Sequence, residues 1–339
     1  MANSSLIRAL PKAELHLHLE GTVDAEMLAE LSRRHDPNPL TTQQALALYQ
    51  YADFHGFMMA FKAVTERLLT ADDFELATYQ MMGRLQEQRV LHAEVYISVG
   101  VVDWRKQEFE PLFLGIERGR ERGQRDFGVS VLWIFDAVRH FGVEAAQRVF
   151  ELAVRYKEQN VVGVGIGGDE RRGPAEAFKD LYRYAADHGL RRTAHAGETT
   201  GPKSIWAALN IGAERLGHVL SAPEDAELLE VLAERQIPVE ICMSSNLRTG
   251  CLADFDQHPA RQLFDEGLLV TLNTDDPAMF HTSLNREFEL AQDRFGFTDE
   301  HLRELARNSF EASFLPAEAK VKLLEQFDQQ CLVSGSDPE

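Results

Sequence analysis

A series of short apolar segments, separated by amphipathic ones, is the feature that most constrains the fold of this chain. The segments are rich in aliphatic or β-branched residues, and several are followed at once by Gly, Asp, Glu, Ser or Asn, as is typical of buried strands that end in loops. They lie at 13–19, 93–99, 129–135, 161–166, 192–196, 215–220, 237–243 and 268–272. Helical patterns separate most of them, for example at 142–159, 175–188, 222–235 and 259–266.

Eight strands that alternate with helices predict a parallel sheet that is covered on both faces. Eight is also the number of strands that closes a (β/α)8 barrel, so the sequence predicts an α/β fold of the TIM-barrel type. A doubly wound open sheet is the alternative at this level. The chain has no GxGxxG after its first strand and no GxxxxGK[ST] anywhere, so nucleotide-phosphate motifs give that alternative no support.

The length of the chain bears on its domain organisation. A chain of 339 residues is long enough to bury a large core, and we expect one (β/α)8 domain over 1–333 and a polar tail at 334–339. The long interval 21–91 is helical in pattern and predicts a cap inserted after the first strand. Its aromatic residues either line the mouth of the barrel, where substrates bind, or pack inward as in an ordinary cap; they are Tyr49, Tyr51, Phe54, Phe57 and Phe61.

Charge and cysteine content limit the partners and the compartment. The chain has 35 Lys and Arg against 54 Asp and Glu, a net charge of −19, which disfavours nucleic acid as a partner. The three cysteines, Cys242, Cys251 and Cys331, contain no CxxC pair, so they predict neither a disulfide framework nor a zinc–thiolate site. We expect a cytoplasmic protein without a membrane partner, because no segment has the pattern of a signal peptide or a transmembrane helix.

Polar residues concentrate at the ends of the predicted strands. In the first strand, His16 and His18 share one face, whereas Leu15, Leu17 and Leu19 share the other. In a barrel the leucines would face the helices and the histidines would face the interior. A buried pair of histidines needs polar partners. A shared metal ion would supply one; two core histidines bonded to other groups are the alternative.

Further histidines and carboxylates follow other predicted strands. They are His195 with Glu198, His218, and Asp275 with Asp276. Because residues at the C-terminal ends of barrel strands converge in space, we expect these side chains to meet. Three imidazoles and one carboxylate form a ligand set that suits Zn²⁺ or a similar divalent cation. Glu198 and His218 then remain free for acid–base chemistry.

Six segments that span nearly the whole chain resemble, in order, the motifs of the adenosine deaminase family of the amidohydrolase superfamily. They are PKAELHLHLEG at 11–21, GDE at 168–170, HAGE at 195–198, RLGH at 215–218, SSN at 244–246 and NTDDP at 273–277. The resemblance implies a (β/α)8 barrel with one catalytic Zn²⁺ per chain. The ligands of this ion would be His16, His18, His195 and Asp275.

The resemblance also implies roles for other motif residues in removing the 6-amino group of an adenine nucleoside as ammonia. Glu198 would protonate N1 of the purine, and His218 would orient the attacking water and stabilise the developing charge. Asp276 would hold N7, the Gly168 backbone would meet N3, and Glu20 would lie near the ribose. Protonation of N1 requires a protonated carboxyl at Glu198, so we expect a dry site to raise its pKa.

Two further expectations concern the geometry of the metal site. Asp275 and Asp276 are adjacent, so an ideal strand would direct them oppositely, and both can serve the site only if the strand ends there. Dinuclear members of the superfamily often bridge two metals with a modified lysine at the end of the fourth strand. The corresponding segment, 161–168, contains no lysine, which favours a single ion.

Three substrates occur among the relatives: adenosine, free adenine and aminodeoxyfutalosine, an intermediate of menaquinone synthesis. Segment 167–170 looks like the nucleoside branches, and 49–61, 195–202 and 311–314 look similar to aminodeoxyfutalosine deaminases. Adenosine and aminodeoxyfutalosine both stay open, and free adenine is less favoured. Arg248 either pairs with a substrate carboxylate or is a surface arginine. A catalytically silent metal- or purine-binding relative is disfavoured, because no ligand or acid–base group is missing.

Overall fold

The computed structural model describes residues 2–334, and at its centre lies a sheet of eight parallel strands in the order of the chain. The strands are β1 (Lys12–His18), β2 (Val90–Ile97), β3 (Ser130–Val138), β4 (Val161–Gly167), β5 (Arg191–Ala196), β6 (Arg215–His218), β7 (Val239–Ile241) and β8 (Val270–Leu272). Each strand overlaps one of the predicted apolar segments. The predicted number and order of strands are therefore confirmed.

The sheet closes on itself just beyond the end of β8. Leu17 and Asp275 form a parallel bridge. At this bridge His18 N donates to the Asp275 carbonyl at 2.8 Å, and Asp275 N donates to the His16 carbonyl at 2.9 Å. The (β/α)8 barrel is confirmed, and the alternative of an open doubly wound sheet is wrong. The closing bridge also joins two segments that carry candidate metal ligands.

Helices connect the strands on the outside of the barrel. They are α1 (Ser4–Ala9), α2 (Ala25–His35), α3 (Thr42–Leu48), α4 (Phe54–Thr65), α5 (Ala71–Glu87), α6 (Val99–Trp104), α7 (Phe109–Phe127), α8 (Val143–Arg155), α9 (Lys179–Asp187), α10 (Pro202–Ile211), α11 (Ala226–Arg235), α12 (Met243–Arg248), α13 (Ala260–Asp265), α14 (Pro277–Phe280), α15 (Leu284–Phe295), α16 (Asp299–Glu311) and α17 (Ala317–Ser334). Short 3-10 helices lie at Glu20–Thr22, Arg139–Phe141, Ala175–Phe178, Ala222–Glu224 and Phe255–Gln257. Within the described part of the chain, no helix is long and apolar enough to cross a membrane. Apart from Ser334, the predicted polar tail lies outside the described residues.

The predicted insertion between the first two strands contains α2 to α5, and its last residues already belong to β2. Helix α5 packs along α7, where glycines allow close approach of the two backbones. A Cβ on Gly115 would lie 2.0 Å from the carbonyl oxygen of Ala71, and one on Gly119 would lie 2.7 Å from that of Glu75. We therefore assign α5 to the outer helical layer of the barrel, and we call α2 to α4, residues 25–65, the cap.

Polar side chains reach the interior of the barrel because β4 leaves room for them. Gly165 and Gly167 alternate along this strand. A Cβ on Gly165 would lie 3.0 Å from Asp136 Oδ1, and one on Gly167 would lie 3.1 Å from Asp136 Oδ2 and 3.2 Å from His195 Cε1. Because glycine has no side chain, these positions on β4 leave space for groups that the neighbouring strands contribute to the centre of the barrel.

Candidate active site and metal centre

The two histidines of β1 enter the barrel interior next to an irregularity in the strand. The register between β1 and β2 shifts within this segment, and the side-chain oxygen of Asn273 accepts hydrogen bonds from Leu15 N at 2.8 Å and His16 N at 3.1 Å. An irregularity of this kind re-aims the side chains of a strand. His16 and His18 lie beside each other with their ring centroids 5.4 Å apart.

Four side chains at the carboxyl ends of β1, β5 and β8 have the composition of a metal site. One candidate ligand atom from each lies within 4.8 Å of the others, in His16, His18, His195 and Asp275. Asp275 Oδ1 lies 3.5 Å from His16 Nε2 and 3.3 Å from His18 Nε2. Ligands that share one tetrahedral ion at about 2.0–2.1 Å are separated by roughly 3.4 Å. The spacing of these atoms therefore fits a common cation.

Hydrogen bonds fix which nitrogen of two candidate ligands remains free. His16 Nδ1 donates to Glu240 Oε2 at 2.6 Å, and His195 Nδ1 donates to the Ile166 carbonyl at 3.2 Å. Within the described residues, His16 Nε2 has no hydrogen-bond partner although the side chain is completely buried. A buried nitrogen without a partner needs an explanation, and a metal ligand whose other nitrogen is oriented by a carboxylate provides one.

Asp275 and Asp276 reach the same region because β8 ends before them, at Leu272. Asp275 has φ +65°, so the backbone turns at this residue. Its Oδ2 accepts a hydrogen bond from Ser245 Oγ at 2.6 Å, which leaves Oδ1 for the histidines. The Asp276 carboxyl lies against Gly21, where a Cβ would be 2.1 Å from Asp276 Oδ1. Adjacent residues of an extended strand point in opposite directions. Because the strand ends before Asp275, both aspartates can face the site.

Buried charges lie behind the histidine pair. Arg215 forms ion pairs with Glu240 and, at 2.6 Å, with Glu94, and all three side chains are completely buried. Burial opposes ionisation of Glu94, but the Arg215 guanidinium lowers its pKa to about 2. The same guanidinium, with His16, holds the pKa of Glu240 below its usual range despite burial. Glu240 is therefore an ionised partner for His16, and its charge is compensated by Arg215.

The loop after β5 is shaped by the carboxylate of Glu170. It accepts hydrogen bonds from the backbone N–H groups of Gly197, Glu198 and Thr199, each at 2.9 Å, and from the hydroxyl groups of Thr200 in the loop and Ser204 in α10. Burial opposes the charge of Glu170, yet hydrogen bonds from Ser204 and from this backbone lower its pKa. One buried carboxylate therefore fixes the peptide that carries Glu198.

Glu198 and His218 form an acid–base pair beside the candidate ligands. Glu198 Oε2 lies 3.8 Å from His218 Nε2, and Glu198 Oε1 accepts a weak hydrogen bond from Cys251 Sγ at 3.6 Å. Gly217 allows His16 to approach this pair, since a Cβ there would lie 2.8 Å from His16 Cε1. Burial raises the pKa of the Glu198 carboxyl. The direction of this shift is the one that a proton donor at neutral pH requires.

A cavity of about 540 Å³ lies over these groups. Its floor is polar and contains His18, His195, Asp275, Asp276, Glu198 and His218. Its wall is apolar and combines side chains from the cap, α6 and the end of β3, which are Phe54, Phe57, Met58, Phe61, Val101, Val138 and Phe141. The cavity can therefore hold a flat polar ring at its floor and an apolar group against its wall.

Some aromatic residues of the cap line the cavity and others pack inward, so each of the two alternatives from the sequence holds for part of the set. Phe54, Phe57 and Phe61 line the cavity. Tyr49 packs inward, with 1% of its surface exposed, and its hydroxyl donates to the Val23 carbonyl at 2.7 Å. The Tyr51 hydroxyl donates to the Met279 carbonyl at 2.8 Å. The tyrosines thus attach the cap to the barrel, and the phenylalanines face the space where a ligand would bind.

Two of the three substrate-binding residues implied by the resemblance line the cavity, and the third lies beside it. Gly168 and Asp276 line the cavity, and Gly168 has φ +90°, a conformation that favours glycine. Glu20 is not among the described residues that line it; its Oε1 accepts a hydrogen bond from Ser98 N at 3.0 Å, and burial raises its pKa to about 7. Glu20 Oε2 has no partner in the described part of the chain, so this carboxyl borders the site from behind Ser98.

The structure does not bring Arg248 to the cavity. Its Nη2 donates to the Tyr49 carbonyl at 3.1 Å, and its guanidinium carbon lies 5.0 Å from the Tyr51 ring centroid. Arg248 thus contacts the backbone and an aromatic ring of the cap, so these contacts do not support the first of its two alternatives, a place beside a substrate carboxylate. The arginine that lines the cavity is Arg171, on the loop after β4.

Sequence reasoning gave no role to three carboxylates around the site, Asp136, Glu170 and Glu240. Asp136 lines the cavity, has no hydrogen-bond partner on Oδ1 within the described residues, and has a pKa raised to about 8 by burial. For Asp136 and Glu240 a signal was present, because each is an acidic residue within or directly after an apolar strand segment. Glu170 lies inside a recognised motif, but its bonds to the next loop could not be read from spacing.

A (β/α)8 barrel with a candidate histidine–aspartate metal site at the carboxyl ends of its strands is the arrangement of a class of metal-dependent hydrolases. Comparison with known families makes this assignment specific. The family described as adenosine deaminase matches residues 11–330. The chain therefore belongs to the adenosine deaminase family, and it is a hydrolytic deaminase of the amidohydrolase superfamily.

Individual relatives differ in the substrate that they are named for. The chain is 37% identical to an aminodeoxyfutalosine deaminase of Streptomyces avermitilis over 329 residues, which cover 96% of this chain and 92% of the relative. It is 35% identical to an adenine deaminase of Hahella chejuensis, covering 95% and 97%. The crystal structure of an adenine deaminase from Arthrobacter aurescens matches with a TM-score of 0.89 and 30% identity, covering 94% and 98%.

Proposed function

We propose that this protein uses a single Zn²⁺ to hydrolyse the 6-amino group of a substituted adenine nucleoside, and that aminodeoxyfutalosine is its substrate. The observation that carries the proposal is the cavity of about 540 Å³, which is lined by apolar side chains of the cap, α6 and the segment around the end of β3 in addition to the acid–base groups. Its volume falls in the range of about 300–1,000 Å³ that holds drug-sized ligands. A bare purine would leave these apolar side chains without a partner.

Zinc is the cation that we propose for the four candidate ligands. Three imidazole nitrogens and one carboxylate oxygen suit this ion, and a ligand set of this size leaves space for water. When bound, such a cation lowers the pKa of water toward about 7 and so supplies a nucleophile at neutral pH. The absence of a lysine in β4, Val161–Gly167, favours one ion rather than a bridged pair.

The remaining steps belong to side chains at the cavity floor. Water adds at C6 of the purine, and the Glu198 carboxyl gives its proton to N1, where negative charge would otherwise develop. His218 lies across from Glu198 and hydrogen-bonds the incoming oxygen. Asp276 faces N7, and the Gly168 backbone faces N3. One proton of the added water passes to the 6-amino group, which leaves as ammonia, and the other restores the Glu198 carboxyl. The ring keeps the oxygen as a carbonyl at C6 and the proton at N1.

Arg171 is the group that we expect to select an anionic substituent. It lines the cavity, and its Nη2 makes one long hydrogen bond, to the Thr199 carbonyl at 3.3 Å. A substrate carboxylate offers a better partner for a guanidinium than a carbonyl does. Arg171→Met should raise KM for aminodeoxyfutalosine about tenfold, the loss of one exposed charge-assisted bond, with KM for adenosine unchanged. Arg172→Met is the matched control, and equal effects of the two variants would remove this role.

A substrate panel tests the proposal. Zinc-loaded protein is incubated with adenosine, deoxyadenosine, adenine, methylthioadenosine and aminodeoxyfutalosine, and loss of the adenine ultraviolet band gives kcat/KM for each; Glu198→Gln is the control for adventitious activity. We expect aminodeoxyfutalosine to have the highest value. A higher value for free adenine would replace the proposal by the second candidate, adenine deamination, which the Hahella relative and the Arthrobacter structure favour. Adenosine as the preferred substrate stays a prediction from the sequence.

A further inference from the structure

A buried chain of hydrogen bonds leads from the backbone to the ring of His218. Ala260 N donates to His258 Nδ1 at 3.1 Å, His258 Nε2 lies 3.1 Å from Asn246 Oδ1, and Asn246 Nδ2 lies 3.0 Å from His218 Nδ1. Asn246 is completely buried and His258 is 6% exposed. We call the three residues Ala260, His258 and Asn246, which lead by hydrogen bonds to His218, the relay.

The donors and acceptors of the three hydrogen bonds in the relay can be assigned in only one consistent way. A backbone N–H can only donate, so His258 Nδ1 must be the acceptor and the ring proton of His258 lies on Nε2. That N–H donates to an oxygen, which fixes the Asn246 amide with its NH₂ group toward His218. An NH₂ group can only donate as well. His218 Nδ1 is then an acceptor without a proton, and the proton of His218 lies on Nε2.

The proton on His218 Nε2 faces the reaction site. Nε2 is the atom that lies 3.8 Å from Glu198 Oε2, and His218 lines the cavity. The relay itself contains no charged group, and His258 packs against the ring of Phe295 with a centroid distance of 5.8 Å. Its neutral members can set the orientation of the His218 ring without adding a charge beside the Glu198 carboxyl.

We propose that Asn246 and His258 are positioning residues that hold His218 as the neutral Nε2–H tautomer. In this state His218 donates a hydrogen bond to the oxygen that attacks C6, and it cannot accept a proton from that oxygen through Nε2. The catalytic consequence rests on the proposed deaminase function. The tautomer itself does not, because it follows from the direction of three hydrogen bonds.

The test uses three variants of the relay and, to assign the spectrum, a fourth at His218, each in the full chain. His258→Leu removes the donor to Asn246, so the amide is free to rotate and to accept a proton from His218 Nδ1. His258→Gln keeps a donor, since a glutamine NH₂ group occupies nearly the position of a histidine Nε2. Asn246→Asp presents only acceptors and should force a proton onto His218 Nδ1. Nitrogen-15 spectra of histidine-labelled protein report the tautomer, and a His218→Gln spectrum identifies the resonances.

We expect Nε2–H for His218 in the unmodified chain and in His258→Gln, and Nδ1–H in Asn246→Asp. His258→Leu should lower kcat about tenfold, the lower end of the effect of removing an outer-shell partner, with KM within twofold, zinc content unchanged, and recovery of kcat in His258→Gln. An Nδ1–H tautomer in the unmodified chain would overturn the proposal, as would equal kcat in His258→Leu and the unmodified chain. Inactivity of the unmodified chain toward the whole panel would contradict the proposed function, and the tautomer would still be measurable.

Discussion

The two sides of the candidate site are supported in different ways. On the side of the candidate metal ligands, His16 contacts an ionised carboxylate, Glu240, whose charge is compensated by Arg215. On the acid–base side, His218 contacts the neutral amide of Asn246. A carboxylate partner makes an imidazole a better ligand and fixes its orientation. A neutral partner fixes orientation and leaves the charge of the ring unchanged, which suits a group that must act next to a titrating carboxyl.

Glu198 extends this comparison, because its loop is held by a carboxylate that does not touch the reacting group. The Glu170 carboxylate accepts hydrogen bonds from backbone N–H groups and hydroxyls, and these donors stabilise its ionised form. The Glu170 charge also raises the pKa of the Glu198 carboxyl, by less than burial and the Asp275 charge do. Burial, together with the Asp275 and Glu170 carboxylates, outweighs the opposing effect of His218 and favours a protonated Glu198, whereas the carboxylates beside the candidate ligands favour a bound cation.

The largest effect is expected from the ligand side. His16→Ala removes a nitrogen that is completely buried and free of hydrogen bonds within the described residues, so the site should lose its ion and deamination should fall to background. Metal content is measured by elemental analysis after dialysis. His188→Ala, at the end of α9, is the control and should keep its metal. Stoichiometric metal in His16→Ala would mean that the ion binds elsewhere.

The next effect is expected from the acid–base side and separates it from the ligand side. Glu198→Gln keeps the shape of the side chain but removes the proton for N1, so kcat should fall by about 10²–10⁴ with zinc content unchanged. Because burial raises the pKa of Glu198, the proton is present below that pKa and lost above it, and activity should decline on the alkaline side. Near-normal turnover in Glu198→Gln would contradict this assignment.

A smaller effect is expected when the charged support of the ligand side is neutralised. Glu240→Gln keeps a hydrogen bond to His16 but loses the charge, so zinc affinity should fall about 10–100-fold. Competition with a chelator measures this change without reference to activity. Glu214→Gln is a matched control, because Glu214 pairs with Arg191 and Arg192 outside the barrel. Equal zinc affinity in the two variants would show that the charge of Glu240 does not support the ion.

The sequence predicted the barrel and the meeting of the candidate ligands for a physical reason. Alternating apolar segments determine the strands, and strand ends converge in a closed barrel, so His16, His18, His195 and Asp275 come together whatever the loops do. The supporting residues depend on details that spacing does not contain. His16 can lie beside Glu240 because Gly217 has no side chain, and His258 reaches Asn246 across a loop whose path no periodicity describes.

The substrate is the least predictable feature, because the wall of the cavity is built by connections rather than by strands. Phe54 and Phe57 come from α4 of the cap, and Phe141 comes from a 3-10 helix after β3. Apolar periodicity within α4 gives its buried face but not its position over the barrel. For the same reason the sequence left Arg248 open between a substrate contact and a surface arginine, and it gave no role to Arg171, which lines the cavity.

The smallest effect is expected from Cys251, which contacts the acid–base side through a weak bond. Its Sγ lies 3.6 Å from Glu198 Oε1, and this hydrogen bond lowers the pKa of Glu198 slightly against the dominant effect of burial. Cys251→Ala should therefore raise the pKa and shift the alkaline decline of kcat/KM upward by roughly a few tenths of a pH unit, since thiol hydrogen bonds are weak. Cys331→Ala, on α17, is the control and should leave the profile unchanged. A downward shift in Cys251→Ala would mean that the thiol favours the protonated form, and the neutral support of this side would then include a group that helps to hold the proton.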